Sequence, residues 1–327
     1  MHWRQIQKTN IISHENLIKF LELDENSQRQ INKNPHFILN LPLRLASKMQ
    51  KNNVNDPLFR QFVPLLEEKI KTLGFIEDPV GDQKVQCTPN LLHKYEGRAL
   101  LVTTSACAMH CRYCFRQNFP YASKDKYFQK ELELLKRNSS IEEIILSGGD
   151  PLSLSNAVLE KLLSQLKSIP HIKRVRFHSR FIIGIPERIE EELLNLLKTF
   201  AFQYWFVVHV NHPLELDEEV LKAFSKIQQL GIPLLNQAVL LKNVNDQEEI
   251  LKELFRKLSN HGVMAYYLHQ LDRVQGSAHF EVSEKRGLEL IKYLQSSLPG
   301  YAVPKYVREL AGYPSKTPLT LNSINYF

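Results

Sequence analysis

From residue 98 onward the apolar positions change period again and again. Short apolar or β-branched runs at residues 99–104, 143–146, 173–178, 204–210, 233–240 and 263–269 predict six strands. Between them, and after the last, apolar residues recur every three or four positions, which predicts helices over 128–137, 157–168, 190–200, 217–230, 246–260 and 283–297. Each crossover is long enough to make neighbouring strands parallel. The pattern is therefore α/β, with six units where a full TIM barrel needs eight, so an open (β/α)6 partial barrel or a doubly wound sheet is expected. Three parts follow: a mainly helical N-terminal extension over 1–94, with short amphipathic pieces at 16–23 and 58–73; the βα core over 95–300; and a C-terminal segment over 301–327.

Polar residues interrupt this pattern at one recurrent place, the C-terminal end of each strand. They are the Cys107–Cys114 loop, SGGD at 147–150, HSR at 178–180, HVNH at 209–212, Asn236 with Gln237, and HQLD at 269–272. In parallel α/β folds that edge carries the chemistry, so these clusters should converge on one site.

Composition narrows the class. The 327 residues are 43% hydrophobic and 24% charged, enough for a sizeable core. The sequence contains no apolar run of about 18 residues, and the first residues lack an apolar leader, so a cytoplasmic protein without a membrane span is expected. The net charge of +7 comes from lysines scattered along helices, as at 130–136 and 252–257, which reads as solvated faces rather than a nucleic-acid surface.

Cys107, Cys111 and Cys114 crowd three of the four cysteines into eight residues, poor spacing for disulfides and good spacing for metal ligation in a reducing compartment. Three thiolates on one loop serve three irons of a [4Fe–4S] cluster and leave the fourth open to an outside ligand. The alternative is a zinc site completed by His110, whose position beside Cys111 is awkward for a shared ion. Cys87, in VQCTPN, has no companion and reads as a packing residue or free thiol. CAMHCRYC, with Tyr113 beside the last cysteine, resembles the hallmark of the radical S-adenosylmethionine superfamily. That resemblance implies a cluster that binds S-adenosylmethionine, with Gly148, Gly149 and Asp150 meeting its amino end. His209 and Gln237 are further candidates for binding this cofactor.

Several ordered stretches narrow the resemblance to the lysine 2,3-aminomutases: KYEGRALLVTTSACAMHCRYCFR, ILSGGDPL, HVNHPLE, NQAVLLKNVND, LDRVQGSAHF and the segment ending in PSKTPL. The family's pyridoxal 5′-phosphate (PLP) is anchored by a lysine, which the resemblance places at Lys316, although the family's glycine-rich run before it is reduced here to GYPS. Tyr95 and Arg98 match positions that meet the PLP ring and phosphate. Arg116 matches a grip on the substrate carboxylate, and Asp272 with Glu309 match an acidic pair around the substrate ammonium, the second usually Asp. Two carboxylates around a buried cation make physical sense. The implied activity is conversion of L-lysine to β-lysine, with a reductant protein as electron source. The chain ends eleven residues after Lys316, which most resembles the short form that makes (R)-β-lysine for a ligase modifying elongation factor P. Two rivals remain: a glutamate 2,3-aminomutase, which would want a cation at Asp272 and Glu309, and a non-catalytic zinc-binding module.

Overall fold

A computed structural model describes residues 1–121, 127–200 and 202–320. Its centre is one ten-stranded sheet whose strands lie in chain order. They are β1 (Gln86–Thr88), β2 (Leu91–Tyr95), β3 (Arg98–Val102), β4 (Glu143–Ser147), β5 (Arg174–Ser179), β6 (Gln203–Val208), β7 (Leu234–Val239), β8 (Val263–His269), β9 (Lys305–Arg308) and β10 (Thr317–Pro318). The six expected strands are β3 to β8, all parallel, with β9 a seventh parallel neighbour. A doubly wound sheet reverses its strand order at a switch point, whereas here the order never reverses. The sheet therefore curls one way as a partial barrel, and no pairing joins β1 to β10.

The expected helices appear as Gln129–Arg137, Asn156–Lys167, Glu191–Thr199, Glu218–Gln228, Glu248–Asn260 and Glu284–Ser297. Ser155, Asp217 and Ser283 cap three of them by accepting first-turn N–H groups. The helix Glu248–Asn260 shows how they pack: it buries Leu251, Leu254, Phe255 and Leu258, a stripe at three- and four-residue spacing. Strand β5 shows the other layer. Val175, Phe177 and Ser179 are buried, while the alternate residues Arg176 and His178 line an internal cavity. The concave face is thus polar where a complete barrel would pack apolar side chains.

The structure differs from the expected pattern in the N-terminal extension. Only Pro57–Phe62 of the 58–73 piece is α-helical, because Val63 is extended before Pro64. The expected boundary at residue 94 falls inside β2, so the end of the extension is sheet; upstream it consists of helices of eight residues or fewer. Its apolar residues, from Trp3 to Leu65, join the same core as the barrel. Among the described residues no helix is long and apolar enough to cross a membrane.

Candidate active site

The strand ends converge, as the polar pattern implies, on a cavity of about 510 Å³. The three loop cysteines, Gly148, Gly149, Asp150, His209, Gln237, Asp272, Glu309, Lys316, Tyr95, Arg98 and Arg116 all line it. HVNH and NQ contribute only in part. Asn211, His212 and Asn236 are buried in hydrogen bonds to the protein itself: Asn211 to Gln61 and Tyr113, His212 capping Pro213–Glu215, and Asn236 to the backbone of Val210.

The cysteine loop leaves β3 and is held from below by the N-terminal extension. Gln7 and Asn40 donate to the Cys107 carbonyl at 3.3 and 3.2 Å, and Asn10 to that of Ala108 at 2.7 Å. Arg112 locks the loop's far side through a bidentate bond to Glu68 at 2.8 and 2.6 Å. From above it is held by the SGGD turn, where Gly149 and Asp150 donate their backbone N–H groups to Thr104 and Ala106 carbonyls at 2.6 and 2.8 Å. A Cβ on Gly149 would sit 2.3 Å from the Ala106 oxygen, so glycine is required here by the loop's close approach. The Asp150 carboxylate is engaged by Ser179 Oγ and by the N–H groups of Leu152, Arg180 and Phe181. Burial outweighs these bonds and pushes its pKa up to about 6. Its side chain therefore serves the fold, and the SGGD backbone and Asp150 together frame the loop.

The thiols fit an iron–sulfur cluster. Burial raises Cys107 and Cys114, the latter to about 11; Asp150 and then the other two cysteines raise Cys107 further, and Cys111 raises Cys114. Among the described residues no three His, Cys, Asp or Glu side chains form a set for a single ion; the thiolates of a cubane bind separate irons and need a wider spacing. His110 stands aside from the sulfurs, stacked on Phe37 at 4.4 Å with Nδ1 on the Ile38 carbonyl at 2.8 Å. Cys87 is exposed on β1, a free thiol and not a packing residue.

Three histidines, His178, His209 and His269, ring the middle of the cavity. Burial first, then nearby cations including Lys316, lowers the pKa of all three, His209 to about 3, so they are neutral. His209 Nε2 lies 3.0 Å from the Gln237 amide. His178 Nε2 and His269 Nε2 are buried and have no partner among the described residues, which is what a ligand seated here would satisfy. These two histidines stand in the noted clusters, but spacing alone does not single them out.

At the far end the charges are unevenly shared. Glu309 receives Lys316 Nζ at 2.7 Å together with Lys94 and the Tyr95 hydroxyl. Burial would raise its pKa, but Lys316, Lys94 and Tyr95 hold it at about 2. Burial pushes Asp272 the other way, to about 7, because the lysine charges nearby do not offset it. Arg98 stacks on the Tyr95 ring at 4.6 Å. Arg116 is fixed by Asp82 through Nε at 2.8 Å and by Ser147 through Nη1 at 3.2 Å. Its Nη2 makes no hydrogen bond to a described residue and is available for an anion. Lys94 and Asp82 are the site residues that sequence reasoning passes over; Lys94 stands beside Tyr95 in KYEGR, whereas Asp82 carries no motif at all.

The chain is similar to several known proteins. The Radical SAM superfamily matches residues 101–255. An L-lysine 2,3-aminomutase of Escherichia coli (strain K12) is 45% identical over 87% of this chain and 84% of its own length. One of Haemophilus influenzae is 41% identical over 97% of this chain and 95% of its own. Among solved structures, a radical SAM methyltransferase from Sphaerobacter thermophilus aligns with a TM-score of 0.49 at 15% identity, over 66% of this chain and 68% of that one. The identity to these relatives, spread over nearly their whole lengths, places the chain in the lysine 2,3-aminomutase family of radical S-adenosylmethionine enzymes.

Proposed function

We propose that the protein is a PLP-dependent lysine 2,3-aminomutase that converts L-lysine to β-lysine. One observation carries the reading: a single cavity joins the three cysteines to Lys316, with Arg116 and Asp272 also lining it. When bound, the cluster with S-adenosylmethionine supplies a carbon radical able to take hydrogen from an unactivated C–H bond, and PLP supplies a carrier for the migrating amine. The chain's own residues would position these parts. Lys316 presents the amine that anchors PLP, with Arg98 offered to its phosphate and Tyr95 to its ring. Gly148, Gly149, His209 and Gln237 offer backbone and neutral side-chain groups to S-adenosylmethionine. Arg116 would take the substrate carboxylate, and Asp272 the side-chain ammonium. Fixing both ends of lysine presents its Cα–Cβ bond to the radical source at a defined place.

Asp272 also argues against glutamate as substrate, since a carboxylate here repels another. The decisive experiment is anaerobic reconstitution with iron, sulfide, PLP, S-adenosylmethionine and reductant, then chiral analysis of products from lysine or glutamate. β-Lysine is expected, in the R form; no β-amino acid from either substrate would overturn the reading. The reading extends to a role in supplying a ligase that β-lysylates elongation factor P, with a separate reductant protein. Deletion should leave elongation factor P without β-lysine, and full modification in a strain with no second mutase would remove that role.

A further inference from the structure

Arg180 follows β5 and is buried, with 8% of its surface exposed. Its Nη1 donates to Cys111 Sγ at 2.9 Å. Its Nη2 donates to Glu215 Oε2 at 2.8 Å and to Gln61 Oε1 at 2.7 Å. The Tyr113 hydroxyl touches the same guanidinium and accepts from Asn211 Nδ2 at 2.6 Å. None of these partners is free to drift. Glu215 is wholly buried, and its Oε1 accepts the N–H groups of Asn211 and His212 at 3.0 and 2.9 Å and Gln61 Nε2 at 3.2 Å. The Arg180 backbone N–H is held by Asp150, and its guanidinium lies 4.7 Å from the Phe62 ring centre. A fixed cation thus has one edge on a cluster sulfur and the other on a buried carboxylate.

One-electron reduction of a [4Fe–4S] cluster adds negative charge that is spread over its sulfur ligands. A charged N–H donor on one of those sulfurs stabilises the reduced form more than the oxidised form, which raises the potential. We propose that Arg180 tunes the reduction potential of the cluster upward through its hydrogen bond to Cys111, while Glu215 holds the guanidinium in place and moderates its charge. The electron comes from an external one-electron reductant, and no protein group is oxidised. Arg180 is in this sense a positioning and tuning residue, acting on the cluster through Cys111. The inference rests on the cluster reading given above.

The test is an EPR-monitored potentiometric titration of the reconstituted holoenzyme, with iron and sulfide content measured in parallel. A cluster signal in the unaltered protein checks the cluster reading by itself. In Arg180→Gln the reduced-to-oxidised ratio at a fixed ambient potential should fall about tenfold, equal to about 59 mV for a one-electron couple. Arg180→Lys, which keeps the charge and loses the planar fork, should fall between the two. Glu215→Gln, which removes the counter-charge, should shift the ratio the opposite way. Should Arg180→Gln fail to hold iron, the other two variants decide. A midpoint unchanged in the variants that assemble a full cluster, or shifted in the reverse direction, overturns the proposal.

Discussion

Asp272 and Glu309 line one cavity, yet one titrates near 7 and the other near 2. The cause is the placement of cations: Glu309 has two ammonium groups in contact, and Asp272 has none among the described residues. A lysine side chain arriving in the cavity therefore finds Asp272 as the unpaired acceptor. Below its pKa that carboxyl is neutral and holds an ammonium weakly. The KM for lysine should thus fall as pH rises from 6 to 8, and Asp272→Asn should abolish that dependence while raising KM on the order of 100-fold, the scale of a lost buried ion pair. Stability should move oppositely. Between 3.8 and about 7 the folded state binds more protons at Asp272 than the unfolded chain, so this residue disfavours folding increasingly as pH rises through that window. Asp272→Asn should consequently melt higher than the unaltered protein at pH 8, with the difference shrinking at pH 5. A variant that melts lower at pH 8 would contradict the burial argument.

At the scale of elements, the cluster loop is a segment with little regular structure clamped between two others. The turn after β4 comes so close that a methyl on Gly149 would meet the Ala106 carbonyl at 2.3 Å, whereas one on Gly300 would meet nothing within 4 Å. Gly149→Ala should therefore cut iron retained after reconstitution severalfold and lower the melting temperature, and Gly300→Ala should change neither. From below, Asn40→Ala removes one donor to the Cys107 carbonyl and should loosen the cluster, seen as faster iron loss to a chelator at unchanged secondary structure. The pattern of apolar residues showed six helices and six strands because each repeats its period long enough to register. Strands β1, β9 and β10 have two to four residues each, too short for any period, and β2, as long as β3 and β4, reads LLHKY, where Lys94 and Tyr95 line the cavity and break the apolar run. Motif spacing likewise exposed the cysteines, and family likeness exposed Lys316. Arg180, Glu215 and Lys94 stand in the noted stretches HSR, HVNHPLE and KYEGR, and Asp82 in none, yet the roles of all four were illegible for a different reason: a single charged residue gains meaning only from the distant partner that the fold brings to it.

Across the whole molecule, the sheet begins at β1 and ends at β10 without closing, and the gap is bridged by side chains and one short backbone pairing. Lys94 and Tyr95, at the end of β2, reach Glu309, which follows β9. Ile76 pairs with Val274, and a Cβ on Gly81 would meet Ala311 at 3.0 Å, so contacts between early and late segments line the same seam. Glu309 is thus both the partner of Lys316 and a tie across the open barrel. Replacing it with glutamine would leave Lys94 and Lys316, both half-buried, without their shared carboxylate, a change that costs less than the ~3–5 kcal/mol of breaking a fully buried pair. The expected signature of Glu309→Gln is a lower melting temperature together with faster hydrogen exchange at Leu91–Tyr95 and Lys305–Arg308, the two faces of the seam, while β5 and β6 in the middle of the sheet keep their protection. Adding Lys94→Met should recover part of the stability, because one stranded charge is gone, without restoring activity. Uniform loss of protection throughout the sheet would show instead that Glu309 supports the whole fold and not the seam.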